Sequence, residues 1–378
     1  MQLKERRARY KLIEECRGRP LIVYATSTRP GIQAMMAGDA IRELIDQIEA
    51  VGDATDIDVL VHSTGGDPLA AWKLMSLLRE RFAHVGVLVP FMAFSAATLF
   101  ALGADEIVMH PHASLGPIDP QISISQADGK IRQFAYEDVG AFLRFLGNEV
   151  KVTEQAHVSA VVEKLFSVVD PVHVGAAKRA SELSSSVGER LLLMHMTEAE
   201  DAPRAKQIAE NLNKSFFAHG DAVSRKRAKD LQLKIAEDNP KLEGLIWGAY
   251  LGLEGYLQLR QPFVALQHYL ADPSGAAAVR PVAPVSLPPN TPPQVAQQVW
   301  QAVIQQAMQA QTNPPVEVQY SVVNAVFESV RFASEHRTSG KIHAFRNANG
   351  EIQLSAIDTV SCWATINSNQ PIEAAIAE

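Results

Sequence analysis

From Ile57 to Gln121 the chain alternates short apolar runs with longer amphipathic ones, the pattern of strand and crossover helix in an α/β fold. IDVLVH, VGVLVP and EIVMHP are almost wholly Val, Ile, Leu and Met, so they read as strands buried on both faces. PLAAWKLMSLLRERF lies between the first two and places Leu69, Trp72, Leu74, Leu77 and Leu78 on one helical face. SAATLFALGA, between the second and third, reads as a short helix with an apolar surface all round. A first strand, LIVYATST, follows Pro20, and Asp39–Val51 forms an amphipathic helix with Ile41, Leu44, Ile45 and Ile48 on its buried side. The order leads into a site beyond the carboxyl ends of the strands, where ligands bind in such sheets.

The turns carry the chemistry. Ser63-Thr64-Gly65-Gly66 ends one strand just before a helix, and its two glycines allow positive φ and bring backbone N–H groups close to a bound group. The helix N-terminus adds electrostatics that favour developing negative charge. Ser95 stands at the entry of Ala96-Ala97-Thr98-Leu99. There a serine either caps the helix or presents its Oγ to a ligand beside N–H groups able to hold an oxyanion.

On STGG, FSAATLFALGADEIVM and LGPIDPQ, the chain resembles the serine dehydrogenase proteinase family. That family is part of the Clp-protease/crotonase superfamily, beside the signal peptide peptidase A and NfeD-type proteases. The likeness is specific over 57–121 and continues weakly through KQIAENLNKSFFAHGDAVSRKRAKDLQLKI. It implies a spiral of ββα units, Ser95 as nucleophile, and an oxyanion hole formed by Gly65, Gly66 and the Ala96 N–H. It also implies a peptide or protein substrate and a homo-oligomer. Two features depart from the family: Ser95-Ala96-Ala97 replaces Ser-Gly-Gly, and FAYEDVGAFLRFL, where related proteases carry a lysine base, has none. Lys130, Lys151 and Lys164 are the nearest downstream lysines, and each has a solvated reading beside the basic one. His62, His110 and His112 sit on or beside the central strands, with a hydrogen-bonded structural role the expectation for His62. His219-Gly220-Asp221 reads as a turn before a helix beginning near Val223, and Asp119 either orients a base or pairs within its loop.

Elsewhere the sequence narrows the class. Hydrophobic residues make up 47% of the 378 and charged ones 20%, as in a globular protein with a sizeable core. A net charge of −7 argues against nucleic acid as the main partner. Cys16 and Cys362 stand far apart and form no metal-spaced pair, in keeping with a reducing compartment. No metal spacing, phosphate-binding fingerprint or repeat is apparent, so no cofactor is expected. Residues 1–19 lack the apolar core of a secretory signal and read as a solvated or oligomer-contacting helix. Val85–Ala104 carries no charge, but Pro90 and Ser95 divide it into strand and helix, so no membrane span is expected. The expected place is the cytoplasm.

Past Gln121 the spacing predicts helices over Tyr136–Val150, Ser159–Val169, His173–His195 and Ala202–Phe217, and an apolar helix follows Gly244. The organisation expected is an N-terminal helix (1–19), a ClpP/crotonase-like domain (20–272) and a Pro-rich linker (273–293). A small α+β module (294–378) follows, with a hairpin turn at Asn347-Ala348-Asn349-Gly350. Two readings stand beside the serine peptidase: an inactive oligomeric binding platform, and a crotonase-like enzyme in which the same amides polarise a thioester.

Overall fold

The structure, a computed structural model, describes residues 2–125, 131–167, 169–214, 222–279, 287–312, 316–346 and 351–366. Helix α1 (Leu3–Arg17) is followed by β1 (Leu21–Thr26), α2 (Ala40–Val51), β2 (Asp56–His62), α3 (Pro68–Arg81) and β3 (His84–Val89). The two-residue strand β4 (Met92–Ala93) runs into α4 (Ala96–Leu102), then β5 (Glu106–Met109) and β6 (Ser114–Leu115). Strands β7 (Ile122–Ser125) and β8 (Ile131–Phe134) pair only with each other. Helix α5 (Tyr136–Arg144) passes into a π-helical turn at Phe145–Glu149, followed by α6 (Gln155–Phe166), α7 (Pro171–Leu192) and α8 (Asp201–Lys214). Next come β9 (Val223–Ser224), α9 (Arg225–Asp230), α10 (Pro240–Tyr256), α11 (Ala265–Ala271), α12 (Pro273–Ala278) and α13 (Pro293–Thr312). Strands β10 (Glu317–Glu328), β11 (Ala333–Arg346) and β12 (Ile352–Thr365) complete the order.

The central sheet runs β12-β11-β10-β1-β2-β3-β5. Strands β1, β2, β3 and β5 are parallel, as their crossover helices require. Both faces are covered. Val59, Val61 and Val87 pack with α2, α3, α4, α7 and α8, while Val23, Leu60 and Leu88 alternate to the other face and meet α1 and α10. Double burial is why these strands are continuously apolar. A second small sheet, β4-β6-β9, stands at the carboxyl end of the main one.

The expected face of α3 is shifted. Leu69 is exposed, and the helix instead buries Ala70, Ala71, Leu74, Met75 and Leu78, whose small first pair lets α3 approach the sheet closely. Val223 belongs to strand β9 rather than a helix, because it pairs with Leu115; Ser224 then caps α9 through its Oγ.

The stretch set apart in the sequence as a C-terminal module continues the central sheet. Strand β10 runs antiparallel to β1, with Val23 opposite Glu328 and Thr26 opposite Ala325. Left unpaired, β1 would be an exposed edge of N–H and C=O groups. Phe327 stacks on Tyr24 with ring centroids 4.2 Å apart. The buried Glu328 carboxylate accepts from Arg6 Nε (2.9 Å) and Tyr10 OH (2.6 Å), tying α1 to the same strand. The linker expected from residue 273 opens as helix α12, because Asp272 accepts from the Ser274 and Gly275 N–H groups and Pro273 suits the first turn. The hairpin turn expected at 347–350 lies outside the described residues, although β11 and β12 pair antiparallel on either side of it.

Candidate active site

The site begins at the carboxyl ends of β1 and β2. Ser63 Oγ is a hub: it accepts the Thr26 hydroxyl at 2.7 Å and the Gly65 N–H at 3.0 Å, which folds the Ser-Thr-Gly-Gly turn back on its own strand. The Ser63 backbone is stitched to the strand before Ser95, with Ser63 N–H donating to Met92 O (3.1 Å) and Phe94 N–H to Ser63 O (3.0 Å). A third segment closes the turn from outside, as Met36 N–H donates to Gly65 O (2.7 Å) and Asp67 N–H to Met36 O (2.8 Å). Gly65 and Gly66 have φ of +99° and +152°, and a Cβ on Gly65 would lie 2.6 Å from Ser95 Cβ and 2.8 Å from Ala96 N. The two turns are therefore in contact, and glycine is what lets them meet.

Ser95 sits at φ +52°, ψ −118°, a left-handed conformation that L residues rarely adopt. It occupies the cap position of α4, yet its side chain makes no capping hydrogen bond. Surrounding residues hold the strained turn in place. Leu99 N–H donates to Ser95 O (3.0 Å), Thr98 Oγ1 donates to Ala93 O (2.7 Å), and the same hydroxyl accepts from Gly116 N–H (3.1 Å). Half-buried Ser95 lines a cleft of about 650 Å³ together with Gly65, Gly66, Leu99, Ile118 and Ser184. That volume suits a small ligand or a short stretch of peptide.

The donors around Ser95 divide into two kinds. Gly65 N–H, expected at the oxyanion, is committed to Ser63 Oγ. Among the described residues, the Gly66 and Ala96 N–H groups have no partner. Both flank the serine at the start of helices, where partial positive charge accumulates.

No histidine, lysine, aspartate or glutamate is among the described residues lining the cleft. Lys151 and Lys164 are exposed and do not line it, while Lys130 and the His219-Gly220-Asp221 turn lie outside the described residues. His62 projects to the opposite face of the sheet. It is fully buried beside Tyr250 and Phe91, at 3.4 Å from Thr28 Oγ1, and burial pushes its pKa down to about 4. His110 stacks on Trp247 (4.9 Å) and its Nδ1 accepts from the His112 N–H (3.1 Å), which also places this pair away from Ser95. Asp119 accepts from Gln121 Nε2 within its own loop at 3.1 Å.

Residues 30–139 match the family of ClpP-like SDH-type serine proteinases. That match spans the Ser63–Gly66 turn, Ser95 and the loop through Gln121. Two uncharacterized proteins of Methanocaldococcus jannaschii are 28% and 26% identical over 199 residues, 53% of this chain. The chain spans about three fifths of their length, 60% and 58%. Among solved structures, a mutant of the 1510-N membrane-bound stomatin-specific protease is similar at 17% identity and TM-score 0.35, covering 59% of this chain and 83% of that one. ClpP1 from Listeria monocytogenes is similar with TM-score 0.33, covering 61% of this chain and 97% of that one. Among the described residues, no helix is long and apolar enough to cross a membrane.

Ser184 and Arg29 are cleft residues that the sequence reading does not single out. Ser184 comes from α7, 89 residues beyond Ser95, and its buried hydroxyl donates to Ile118 O; nothing local in the sequence announces that meeting. Arg29 lies just past the carboxyl end of β1, on the same edge of the sheet as the glycine turn and Ser95, and that position is its signal in the sequence.

Proposed function

We propose that this protein is a serine hydrolase of the peptidase type, with Ser95 Oγ attacking an acyl carbon of a bound peptide. One observation carries the reading: a non-glycine residue held at φ +52° with its hydroxyl free of any capping bond, facing a cleft. The family match over 30–139 supports the same assignment. In this reading the Ala96 and Gly66 N–H groups stabilise the oxyanion, and Gly65 supplies the clearance that brings Gly66 to it. Attack transfers the serine proton to a base, which the described residues lining the cleft do not supply.

That last observation favours a second reading, a non-catalytic member that binds peptide at the same cleft. Intact-mass labelling with fluorophosphonate and β-lactone probes separates the two. A single adduct on the wild type, absent from Ser95→Ala, is the result expected of an activated serine. A folded wild type that takes no adduct from either probe, or labels no differently from Ser95→Ala, would overturn the hydrolase reading.

We also propose that the chain assembles with copies of itself. Helices α5 and α6 bury no residue of their own, and Leu143, Phe145 and Phe166 along this region are 40% or more exposed. Light scattering on the purified chain tests this, and a monodisperse monomer would refute it.

A further inference from the structure

The charges around the cleft are one-sided. Arg29 is the sole ionisable residue among the described residues lining it. Its setting is built. Arg29 Nε donates to Gln261 O at 2.6 Å, the guanidinium carbon lies 5.5 Å from the centre of the Phe263 ring, and the Arg29 N–H donates to Ser27 Oγ at 3.2 Å. The loop beneath is clamped as well: Phe263 N–H donates to Pro30 O at 2.8 Å. Gly31 (φ +87°) passes so close that a Cβ there would lie 2.1 Å from Phe263 O. With Nε committed, the two terminal nitrogens of Arg29 have no partner among the described residues, and none of the described residues lining the cleft is an acid that would neutralise them. A guanidinium keeps its charge at any working pH and presents a planar pair of N–H donors that matches a carboxylate.

The protein as a whole carries a net charge of −7, so a cation as the one charged group among the described residues lining the serine's cleft is not a consequence of general composition. The neutral polar groups nearby, Thr28, Gln33 and Gln121, can accompany a charged ligand but cannot replace the cation.

We propose that Arg29 is a specificity-determining residue of this cleft, selecting ligands that place a carboxylate within its reach while their acyl group lies at Ser95. The proposal rests on the reading of Ser95 as the reacting group. It adds the class of substrate: peptides that are anionic near the scissile bond, with the carboxylate supplied by a chain terminus or by an acidic side chain. The remaining described lining of the cleft is uncharged, with Ile32, Met35, Leu99 and Ile118 its larger apolar members. The electrostatic choice therefore falls to one side chain.

The test measures binding and needs no turnover. The Ser95→Ala protein is titrated with dansylated penta-alanine bearing a free carboxyl terminus, and with its C-terminal amide. A second pair, both amidated, carries Glu or Gln at the centre. Polarisation of the dansyl group reads the affinity. A charge-assisted hydrogen bond predicts a preference of roughly ten- to hundredfold for the carboxylate of at least one pair. The pair that discriminates tells whether the terminus or the side chain is read. In Ser95→Ala/Arg29→Gln that preference falls to about one, and in Ser95→Ala/Arg29→Lys it is partly kept because the charge remains while the fork is lost. Equal affinities within both pairs, no binding of either acid at millimolar peptide, or a preference that survives Arg29→Gln would each overturn the proposal. Probe labelling of Ser95 in the otherwise wild-type protein is a separate readout, so failure of the serine reading and failure of the carboxylate reading are told apart.

Discussion

The two ends of the parallel strands, built from the same β1, β2, β3 and β5, have opposite chemistry. At the amino ends arginines and carboxylates are gathered into one ion-pair network. Arg17 Nε reaches Asp58 Oδ2 at 2.7 Å, Arg19 Nε lies 3.0 Å from Asp58 Oδ1, and both arginines pair with Glu106. Arg19 also contacts His84 Nδ1 at 2.6 Å. At the carboxyl ends polar capacity is left over among the described residues: the Gly66 and Ala96 N–H groups, the Ser95 hydroxyl, and an Arg29 guanidinium with no acid beside it in the cleft lining. Donors left over in an open cleft are available to a ligand, whereas groups already paired in an ion-pair network have little left to offer one. The amino ends hold the sheet together, and the carboxyl ends are kept open.

This contrast is sharpest for Asp58, which is nearly wholly buried at the amino end. Burial raises its carboxyl pKa to about 6 against the pull of Arg17, so the group is still ionised at neutral pH. Asp58→Ala removes the buried one of the two carboxylates that answer Arg17 and Arg19, leaving only the partly exposed Glu106, and is expected to cost about 3 kcal/mol. Denaturant unfolding reads the loss, while adduct formation at Ser95 in the folded fraction persists. If Asp58→Ala were as stable as wild type, the network would be decoration and the contrast between the ends would fail.

His62 separates the two faces of the same sheet in another currency, pH. Its folded pKa is depressed by burial to about 4 from an ordinary 6.5. Between those values the unfolded chain takes up a proton and the folded chain does not, so stability is full above pH 6.5 and is lost as pH falls toward 4. About 2.5 pK units correspond to about 3 kcal/mol. Chemical denaturation at pH 7 and pH 4.5 checks this, with His62→Phe as the variant in which that component of the slope disappears. An unchanged slope would mean that His62 is not the proton-linked group.

At the glycine turn, Gly65→Ala brings a methyl to 2.4 Å from Phe94 O and 2.6 Å from Ser95 Cβ, and asks alanine to hold φ +99°. The expected cost is about 2 kcal/mol, with complete loss of the serine adduct because the two turns are pushed apart. Retention of full labelling in this variant would show that the contact between Gly65 and Ser95 does not position the site.

Much of this contrast is legible from residues alone, and the rest fails for physical reasons. Continuous apolar runs such as VGVLVP announce strands covered on both faces, and the two-glycine turn and the serine at a helix entry announce the carboxyl-end site. Leu69 misleads because hydrophobicity records what a side chain can do, whereas Ala70 and Ala71 decide how near the helix comes. The docking of β10 on β1 depends on a contact between residues some three hundred positions apart, which local periodicity does not contain. His62 lies between Val61 and Ser63, and only the alternation of faces along a strand sends its ring away from the serine cleft. Ser184 reaches the cleft from α7 by tertiary placement, which its local sequence does not contain, whereas Arg29 is marked only by its position after β1.

The smallest expected effect tests the strain at Ser95 itself. Its φ of +52° with ψ −118° is a conformation that glycine adopts freely and other residues hold at a cost of about 1–3 kcal/mol. Ser95→Ala keeps the Cβ and therefore the strain, and it removes a hydroxyl that makes no capping bond, so its stability should stay near that of wild type. Ser95→Gly removes the strain but gives the unfolded chain more freedom, which returns about 0.5–1 kcal/mol of the gain. The difference leaves Ser95→Gly more stable than Ser95→Ala by about 1 kcal/mol, although both lose the adduct. A glycine variant that gained stability while the protein lost labelling would put the cost of function at this one backbone position. If the two variants unfolded at the same denaturant concentration, the turn would be relaxed, and the serine's conformation could no longer serve as the observation on which the hydrolase reading rests.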